Sequence, residues 1–338
     1  SIPGRGGRIP QEPLPWEKVP LYFRRAAANE GIASARSYIT HQTREGRSGR
    51  AEKLNAAVTY YKGMYQEFSG KGITLRVWTG SSWTWMRCRL SGREFPKEAR
   101  LMSPSVVFEY KHDMLHVPVR QETVNTATVR QRMKAGCSIL SIQFTNSDAF
   151  AVGVVLDGNG QEKAVRFWKG GREYSHHCRK LLEKIRKSQD AAGGKQTGRV
   201  DQKYWMHLKH LAEYYGHQVT SQIISFAREQ EASMIVLPRY NQEYSRNVMK
   251  GSGNWSPLHL STRIRQYLEY KAWENGIIVI EVHASGISTT CAKCGADIDR
   301  TDNRTELCHC ENGHQTNRYL NAARNLGKKC LTQFGRRI

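Results

Sequence analysis

The residues best suited to chemistry are four cysteines and a histidine near the C-terminus. Cys291 and Cys294 form a Cys-x-x-Cys pair, and Cys308, Cys310 and His314 follow. Zinc takes four thiolate or imidazole ligands at about 2.0–2.3 Å, and a Cys-x-x-Cys turn supplies two of them. We predict a zinc ribbon that Cys310 and His314 close, with Cys308 as the substitute ligand if His314 points away. Each combination fills all four ligand positions, so the predicted zinc is structural rather than catalytic.

The other cysteines and the N-terminal sequence indicate the compartment. Cys88, Cys137, Cys178 and Cys330 are isolated, and clustered ligands beside scattered single thiols favour a reducing environment over a disulfide framework. We see no signal peptide, and no apolar run approaches the roughly 18 residues of a membrane span. We therefore expect a protein of the prokaryotic cytosol or nucleoid with no membrane partner. Because the chain begins with Ser1, we also expect an upstream segment to be missing.

The charge of the chain indicates a polyanionic partner. Its 338 residues contain 52 Lys and Arg against 30 Asp and Glu, a formal net charge of +22. Such an excess suits the phosphate backbone of nucleic acids. Many of these cations alternate with Trp and Tyr, a composition that also suits stacking on unpaired bases.

The pattern of the first half predicts a helix followed by short strands. Apolar residues recur at helical spacing over 21–39, and 54–68 fits either a short helix or a strand. From 73 onward apolar and polar residues alternate in short runs separated by Gly, Ser and Pro. We predict a partial helical segment over 1–70, a small β-barrel or sandwich over 71–122 and a basic linker over 123–136; the family resemblance described below implies that the first is a recognition segment and the second a wedge-like barrel.

The second half predicts an α/β domain with an inserted ribbon. Three adjacent strands, over 137–144, 149–156 and 164–168, come before basic and amphipathic helices, and later strands cover 233–237 and 277–282. This order is how an RNase H-like fold begins. We predict an RNase H-like domain over 137–286, the zinc ribbon over 287–316, and a final helix with a basic tail over 317–338; the family resemblance described below implies that this domain is of the RuvC type. The expected fold class is α+β and multidomain.

The order of the C-terminal motifs resembles a known family. Thr290-Cys291-Ala292-Lys293-Cys294-Gly295 precedes Cys308-His309-Cys310-Glu311-Asn312-Gly313-His314, and Asn321-Ala322-Ala323-Arg324-Asn325 follows. This arrangement resembles the C-terminal part of TnpB transposon proteins and type V CRISPR effectors, which are RNA-guided DNA nucleases. The resemblance covers most of the chain, including Pro20–Asn29, which is similar to the helical segment before the family's wedge barrel.

The three acids of that family have no counterpart in this chain. Where the family reads Gly-Ile-Asp-Leu-Gly, Ile-Val-Leu-Glu-Asp-Leu and Asp-x-Asn-Ala-Ala, the matching residues are Gln143, Pro238 and Tyr319. Two Mg²⁺ ions need those carboxylates as ligands, and Arg239 beside the second position would repel them. The resemblance therefore implies a nuclease-dead member with no catalytic Mg²⁺, which is not an enzyme.

The resemblance also implies the partners. They are a guide RNA and a double-stranded DNA target with an adjacent short motif, the target sequence being read by base pairing. The simplest outcome is repression of transcription, and a second copy of the chain or transposition proteins are further possible partners. We predict that the nucleic-acid-binding residues are Arg24, Arg25, Arg76, Trp78, Trp83, Trp85, Arg87, Arg89, Arg179, Lys180 and Arg186.

Three alternatives stay open at this level. The chain could be an inactive effector that recruits transposition proteins. It could be a Mg²⁺-dependent RNA-guided nuclease with relocated acids, for which Asp148, Asp157 and Glu243 are the nearby candidates. It could also be a zinc-ribbon RNA-binding protein without a DNA target.

Overall fold

The computed structural model divides the chain into two units, Ser1–Glu122 and Thr123–Ile338. It describes residues 18–45, 57–92, 94–95, 100–109, 112–120, 122, 125–191, 193, 201–299 and 306–335. No helix in these ranges is both long enough and apolar enough to span a membrane.

The described part of the first unit contains one long helix and eight short strands. In chain order these are α1 (Leu21–Glu45), β1 (Val58–Thr59), β2 (Tyr65–Ser69), β3 (Gly72–Trp78), β4 (Trp83–Arg89), β5 (Arg100–Leu101), β6 (Ser105–Glu109), β7 (His112–His116) and β8 (Val119–Arg120). A small core joins helix and strands, because Phe23 packs edge-on against Tyr60 at 5.3 Å beside the buried side chains of Met64, Ile73 and Leu75.

The predicted β-barrel over 71–122 is wrong. The described strands form three separate sheets, β2-β3-β4, β1-β6-β7 and β5-β8, and none of them closes on itself. Alternating apolar and polar residues show where a strand runs, but they do not specify which strand it pairs with. A closed barrel needs one continuous ladder of strand-to-strand hydrogen bonds with a consistent stagger between neighbouring strands. Two of the strands also lie within the segment over 1–70 that we predicted to be helical, so the ambiguous stretch over 54–68 contains strands.

The second unit begins with a helix that we predicted to be a linker. Helix α2 (Val129–Lys134) starts at a capping box, in which the backbone N–H of Thr128 donates to Gln131 Oε1 at 2.7 Å and the Gln131 N–H donates to Thr128 Oγ1 at 3.4 Å. The Thr-x-x-Gln spacing is a sequence signal for a helix start. The basic composition of this segment had concealed it.

A mixed sheet with helices on both faces forms the body of this unit. Its elements are β9 (Ser138–Phe144), β10 (Ala149–Leu156), β11 (Glu162–Lys169), α3 (Gly171–Ala191), α4 (Gln202–Glu229), β12 (Ala232–Arg239), α5 (Gln242–Ser252), α6 (Pro257–Glu274) and β13 (Ile278–His283). The strand order is β11-β10-β9-β12-β13, with β9, β10 and β11 antiparallel and β12 and β13 parallel to β9. The ribbon strands β14 (Ile298–Asp299), β15 (Leu307–Cys310) and β16 (Gln315–Asn317) and helix α7 (Arg318–Gly335) follow.

Each face of the central strands is buried under a different set of helices. Leu140 and Ile142 belong to a core with residues of α3, α4 and α6, whereas Ile139 belongs to a second core with Ala323 and Leu326 of α7. Burial on both faces explains why β9, β10 and β12 are nearly continuous apolar runs. Because successive side chains of a strand point to opposite faces, Gln143 lies on the same face of β9 as Ile139, the face that α7 covers.

A buried arginine connects α2 to the sheet. The Arg132 side chain is 2% exposed, and its guanidinium donates to the carbonyls of Ala127 at 2.9 Å, Ser233 at 2.6 Å, Gly276 at 2.7 Å and Asn125 at 3.3 Å. Burial lowers its pKa. Ser233 lies at the start of β12 and Gly276 lies just before β13, so this one side chain satisfies carbonyls where both parallel strands begin.

We predict that Arg132→Leu lowers the free energy of unfolding by about 3 kcal/mol, because it leaves buried carbonyls without donors. Urea denaturation followed by circular dichroism measures the change. Arg130→Leu is the matched control, since Arg130 is exposed on the same short helix, and it should shift stability by less than about 0.5 kcal/mol. Equal midpoints for the two variants would contradict this role for Arg132.

Candidate functional site

The ribbon brings four candidate metal ligands together. The thiols of Cys291, Cys294 and Cys310 and an imidazole nitrogen of His314 all lie within 4.8 Å of one another. Cys294 Sγ is 3.6 Å from Cys310 Sγ, and His314 Nδ1 is 3.5 Å from Cys310 Sγ and 3.9 Å from Cys291 Sγ. Ligands at about 2.3 Å from a tetrahedral ion lie about 3.7 Å apart. The donor set therefore fits a single metal ion with all four positions filled by protein.

Two similar turns present these ligands. Gly295 and Gly313 both adopt left-handed backbone conformations, with φ of +79° and +77°. The Gly295 N–H donates to the Cys291 carbonyl at 2.8 Å, and the Gly313 N–H donates to the Cys310 carbonyl at 2.9 Å. Glycine suits both positions because other residues adopt positive φ only at a cost.

Hydrogen bonds make the thiol of Cys294 more acidic than an ordinary cysteine thiol. The backbone N–H of Ala296, and then the side chain of Asn312, lower its pKa to about 6. Thiolates are the form that binds metal. This local hydrogen bonding therefore favours the ligand state of Cys294 near neutral pH.

Cys308 lies outside the ligand group. Its thiol is buried and lies 3.4 Å from the carbonyl oxygen of Thr316. Cys308 and Cys310 are two residues apart on β15, yet the ligand group contains only Cys310. The substitute role that we considered for Cys308 is not needed, because His314 is turned toward the thiols.

The first ribbon turn is hydrogen-bonded to α7. The Asn321 side chain accepts from the Ala292 N–H at 2.8 Å and donates to the Thr290 carbonyl at 2.8 Å. One turn later, Asn325 donates to the carbonyls of Ile287 at 2.9 Å and Thr290 at 2.7 Å. These two amides are the asparagines of the Asn-Ala-Ala-Arg-Asn motif, so the motif docks the ribbon onto the helix.

Gln143, Pro238 and Tyr319 meet around one cavity. Together with Val248 and Met249 of α5, they line a space of about 580 Å³, which we call the helix-side cavity. Gln143 and Pro238 lie near the ends of the neighbouring strands β9 and β12, and Tyr319 lies in the first turn of α7. The sequence motifs thus identified three residues that the fold brings together.

A second space opens toward the ribbon. This ribbon-side cavity, of about 750 Å³, is lined in part by Arg239, His283, Asp299 and Arg318. Its lining shares four residues with the helix-side cavity, namely Gln143, Arg239, Tyr240 and Tyr319. The two cavities are therefore neighbours that meet at these side chains.

Hydrogen bonds hold the residues between the cavities. Gln143 Nε2 donates to Tyr240 Oη at 2.8 Å, and Tyr240 Oη lies 3.2 Å from Gln143 Oε1. Burial, together with the carboxylate of Glu306, raises the pKa of Tyr319, so its phenol is neutral at physiological pH.

A partly buried arginine lies beside Pro238. Arg265 donates to the Pro238 carbonyl at 2.8 Å and pairs with Glu281 at 2.9 Å, and its guanidinium lies 5.0 Å from the centre of the Phe144 ring. Burial lowers the pKa of Arg265, and the Glu281 carboxylate opposes this effect. We had not predicted Arg265, because nothing in the sequence links it to the end of β12.

The candidate relocated acids have other roles or positions. Asp148 Oδ1 accepts from the Arg172 N–H at 3.3 Å at the start of α3, and Asp157 Oδ1 accepts from two N–H groups in its own turn. Glu243 is exposed on α5. Across the described ranges, the ribbon ligands are the only cluster of three or more His, Cys, Asp or Glu side chains spaced to hold a metal ion.

Six predicted nucleic-acid-binding residues share one face of a sheet by register, and five of them form what we call the cationic sheet face. The register pairs Arg76 with Trp85, Trp78 with Trp83 and Thr74 with Arg87 on β3 and β4, and cross-strand partners point to the same face. Trp78 is 47% exposed and Trp85 40% exposed, and the Arg76 guanidinium lies 6.0 Å from the centre of the Trp85 ring. This cationic sheet face consists of Arg76, Trp78, Trp85, Arg87 and Arg89.

Trp83 differs from its neighbours on β4. Its ring stacks on Phe23 at 4.6 Å with an interplanar angle of 27°, and its Nε1 donates to the Lys18 carbonyl at 3.2 Å. Trp83 therefore takes part in internal packing, and its role in nucleic-acid binding stays a prediction. Nearby on α1, Arg24 is half-buried and Arg25 is exposed.

The basic residues predicted on α3 lie on its exposed side. Tyr174, Cys178, Leu181 and Ile185 enter the core at helical spacing, whereas Arg179, Lys180 and Arg186 face solvent. Arg186 lies 3.8 Å from Asp190 in an exposed ion pair. Such pairs are weak, so they do not prevent contact with phosphate.

Comparison with known proteins gives matches for both units. The Cas12f1-like TNB domain family matches residues 262–326, and the Aq_aa04 family matches residues 1–79. No curated protein matches the sequence.

The fold is similar to that of several solved structures. For a Cas12f1 complex with sgRNA and target DNA, the TM-score is 0.60 at 13% identity, covering 89% of this chain and 71% of that one. For AacC2c1 with sgRNA and extended non-target DNA, it is 0.56 at 9% identity, covering 92% and 59%. For Alicyclobacillus acidoterrestris C2c1 with single-guide RNA, it is 0.51 at 10% identity, covering 84% and 55%. The domain match and the shared fold confirm the resemblance stated above.

We predict that Cys310→Ala reduces bound metal at least about tenfold, because it removes a ligand from a closed site. Elemental analysis of the purified protein measures the metal content, with one ion per chain expected for the wild type. Cys308→Ala is the matched control on the same strand and should keep its metal. Loss of metal in both variants, or in neither, would contradict the ligand set described above.

Proposed function

We propose that this chain, a member of the TnpB-like and type V effector family, binds a guide RNA and a complementary DNA target without cutting the DNA. The observation on which this proposal rests is that Gln143, Pro238 and Tyr319 meet around one cavity. They occupy the sequence positions where the resemblance leads us to expect three carboxylates.

The chemistry of these three side chains supports the absence of cleavage. Two-metal catalysis needs anionic oxygen ligands that hold both divalent ions. An amide, a proline ring and a neutral phenol supply no negative charge, and Arg239 places positive charge next to them, while Arg265 is paired with Glu281. Electrostatic repulsion adds to the lack of ligands, so the site is unsuited to Mg²⁺.

The topology of the sheet supports an RNase H-like domain of the RuvC type over 137–286. Three antiparallel strands are followed by two strands that run parallel to the first, in the order β11-β10-β9-β12-β13. Helices cover both faces, and α7 returns to the sheet after the ribbon. In this assignment the ribbon over 287–316 is an insertion before the last helix of the domain, over 317–338.

We assign the metal of the ribbon as zinc with a structural role. Three thiols and one imidazole are a donor set that zinc prefers, and their spacing leaves no position for water or substrate. Bound zinc would stabilise the two turns and the hydrogen bonds that connect them to α7.

Two basic surfaces are suited to the nucleic acids. The cationic sheet face offers guanidinium groups beside exposed indole rings, a combination typical of binding to single-stranded RNA. The exposed basic side of α3 offers Arg179 and Lys180 to phosphate groups. In this proposal the guide RNA occupies these surfaces, and target DNA is selected by base pairing.

The expected outcome is repression of transcription. A protein that occupies a DNA site without cutting it blocks other proteins from that site. This output requires no reaction, which agrees with the lack of a carboxylate at Gln143, Pro238 and Tyr319.

The first prediction is that purification from the native host yields one abundant RNA with a constant scaffold and a short variable end. With that RNA bound, the protein should shift a matched DNA duplex and leave it intact in Mg²⁺ and in Mn²⁺. RNA sequencing identifies the bound RNA, a gel-shift assay measures duplex binding, and a nicking assay measures cleavage. Guide-dependent nicking would contradict the absence of cleavage. A mixed RNA population would contradict the claim that the protein binds one guide RNA.

The second prediction is that Trp85→Ala weakens RNA binding by about 1–3 kcal/mol, because it removes a stacking surface. Met86→Ala is the matched control, since Met86 is 49% exposed and its side chain points to the opposite face of the same strand. Fluorescence anisotropy with the co-purified RNA measures both affinities. If the two variants bind equally, the cationic sheet face is not the RNA surface.

A further inference from the structure

A third cavity is lined by the ribbon, by α7 and by the edge of the sheet. This ribbon-flank cavity, of about 340 Å³, is lined in part by the metal ligands Cys291 and His314 and by Glu162, Arg324 and Lys328. Two cationic side chains of α7 therefore share one space with two of the proposed metal ligands. The structural role proposed for the metal assigns no task to these cations.

The charge of the ligand set makes nearby cations relevant. Three thiolates and one neutral imidazole around a divalent ion leave a net charge of about −1 on the metal centre. Cys291 and Cys310 are buried, with 4% and 5% of their surface exposed, and the burial of an uncompensated charge is costly. A cation held beside the ligand turns would offset this charge and so favour the metal-bound state.

The charge of Arg324 is already neutralised by another side chain. Its Nε and Nη2 donate to the two carboxylate oxygens of Glu162 at 2.7 and 3.0 Å, and its Nη1 donates to Thr316 Oγ1 on β16 at 3.3 Å. Glu162 is the one acid among the described residues that line the ribbon-flank cavity. The cavity lining therefore leaves the charge of Lys328 without a carboxylate to neutralise it.

Lys328 reaches the first ligand turn. Its Nζ donates to the carbonyl oxygen of Ala292, the residue that directly follows Cys291 in the Cys-x-x-Cys pair. Lys329, the next residue of α7, instead donates to the Ser285 carbonyl at 2.8 Å, and Ser285 lies before the ribbon. Adjacent lysines of one helix therefore bind one carbonyl inside the metal-ligand turn and one outside it.

We propose that Lys328 is a positioning residue for the ribbon metal. Its hydrogen bond to the Ala292 carbonyl holds the Cys291–Cys294 turn against α7, and its ammonium group offsets the negative charge of the metal-thiolate centre. Because this contact joins the ribbon to α7, metal binding and the docking of the ribbon on α7 stabilise each other. The inference rests on the metal assignment proposed above and is independent of RNA guidance.

The test starts from the full-length protein as purified with its metal. The protein is titrated with a chromogenic zinc chelator, and the chelator concentration that removes half of the zinc measures the relative zinc affinity. Lys328→Met should lower this affinity about tenfold, because it removes the charge and the donor, whereas Lys329→Met, the matched control, should change it by less than about twofold. Circular dichroism before the titration verifies that each variant is folded.

Two further measurements separate the charge of Lys328 from a general effect on the fold. Lys328→Arg keeps a charge and a donor, so it should retain most of the zinc affinity. The gap between wild type and Lys328→Met should be wider in about 0.05 M than in about 0.5 M NaCl, because salt screens exposed charges and Lys328 is exposed. A purely structural defect would persist at both salt concentrations.

Equal zinc affinities of Lys328→Met and Lys329→Met would overturn the inference, as would a salt-independent loss that Lys328→Arg shares. Wild-type protein that purifies without one equivalent of metal would contradict the metal assignment and, with it, this role for Lys328. Guide-directed binding of a matched duplex by the wild-type protein is measured in parallel. Its absence beside a zinc affinity that depends on Lys328 would contradict the RNA-guided function alone.

Discussion

The close packing of α7 on the sheet is the contact on which the ribbon and the cavities depend. A Cβ on Gly327 would lie 2.7 Å from Leu156 Cδ1 and 2.9 Å from Ser141 Oγ, so only glycine allows the helix to approach this closely. The same Ser141 hydroxyl donates to the Ala323 carbonyl at 2.7 Å. Together these contacts fix the position of α7 along the sheet. That position brings Tyr319 to the cavities. It also places the side-chain amides of Asn321 and Asn325 where they bind the ribbon.

The residues around the cavities are stable as a group without an ion. Three carboxylates in one partly buried space would repel one another, and each would favour protonation unless cations were bound. Gln143 and Tyr240 instead satisfy each other by hydrogen bonds, and the Pro238 carbonyl accepts from Arg265. The Arg265 guanidinium pairs with Glu281 and so needs no external anion. In the proposed function, Gln143, Pro238 and Tyr319 therefore do more than omit metal ligands, because a self-contained network takes the place of a site that would depend on cations.

Local sequence signals anticipated the ribbon, and the family resemblance grouped Gln143 with Tyr319, while the pairing of distant strands was not accessible from the sequence. The spacing of metal ligands within two short turns is a local property of the sequence. Side chains also alternate along a strand, so the sequence shows which of them share a face. The partners of β2 to β8 depend on register between distant segments, which alternation does not encode, so the barrel prediction failed. Arg132 and Arg265 were missed for the same reason, because their partners lie far away in sequence and mostly consist of backbone carbonyls.

The basic surfaces also limit how this protein could select its targets. Guanidinium groups and indole rings on an open sheet contact phosphates and base faces, which every sequence presents. Such contacts supply affinity that falls steeply with salt, and they distinguish poorly between sequences. A chain with a net charge of +22 that relied on them alone would bind nucleic acids indiscriminately. Selectivity in the proposed function must therefore come from the bound RNA: the protein's charge is first neutralised by the guide, and base pairing then chooses the DNA.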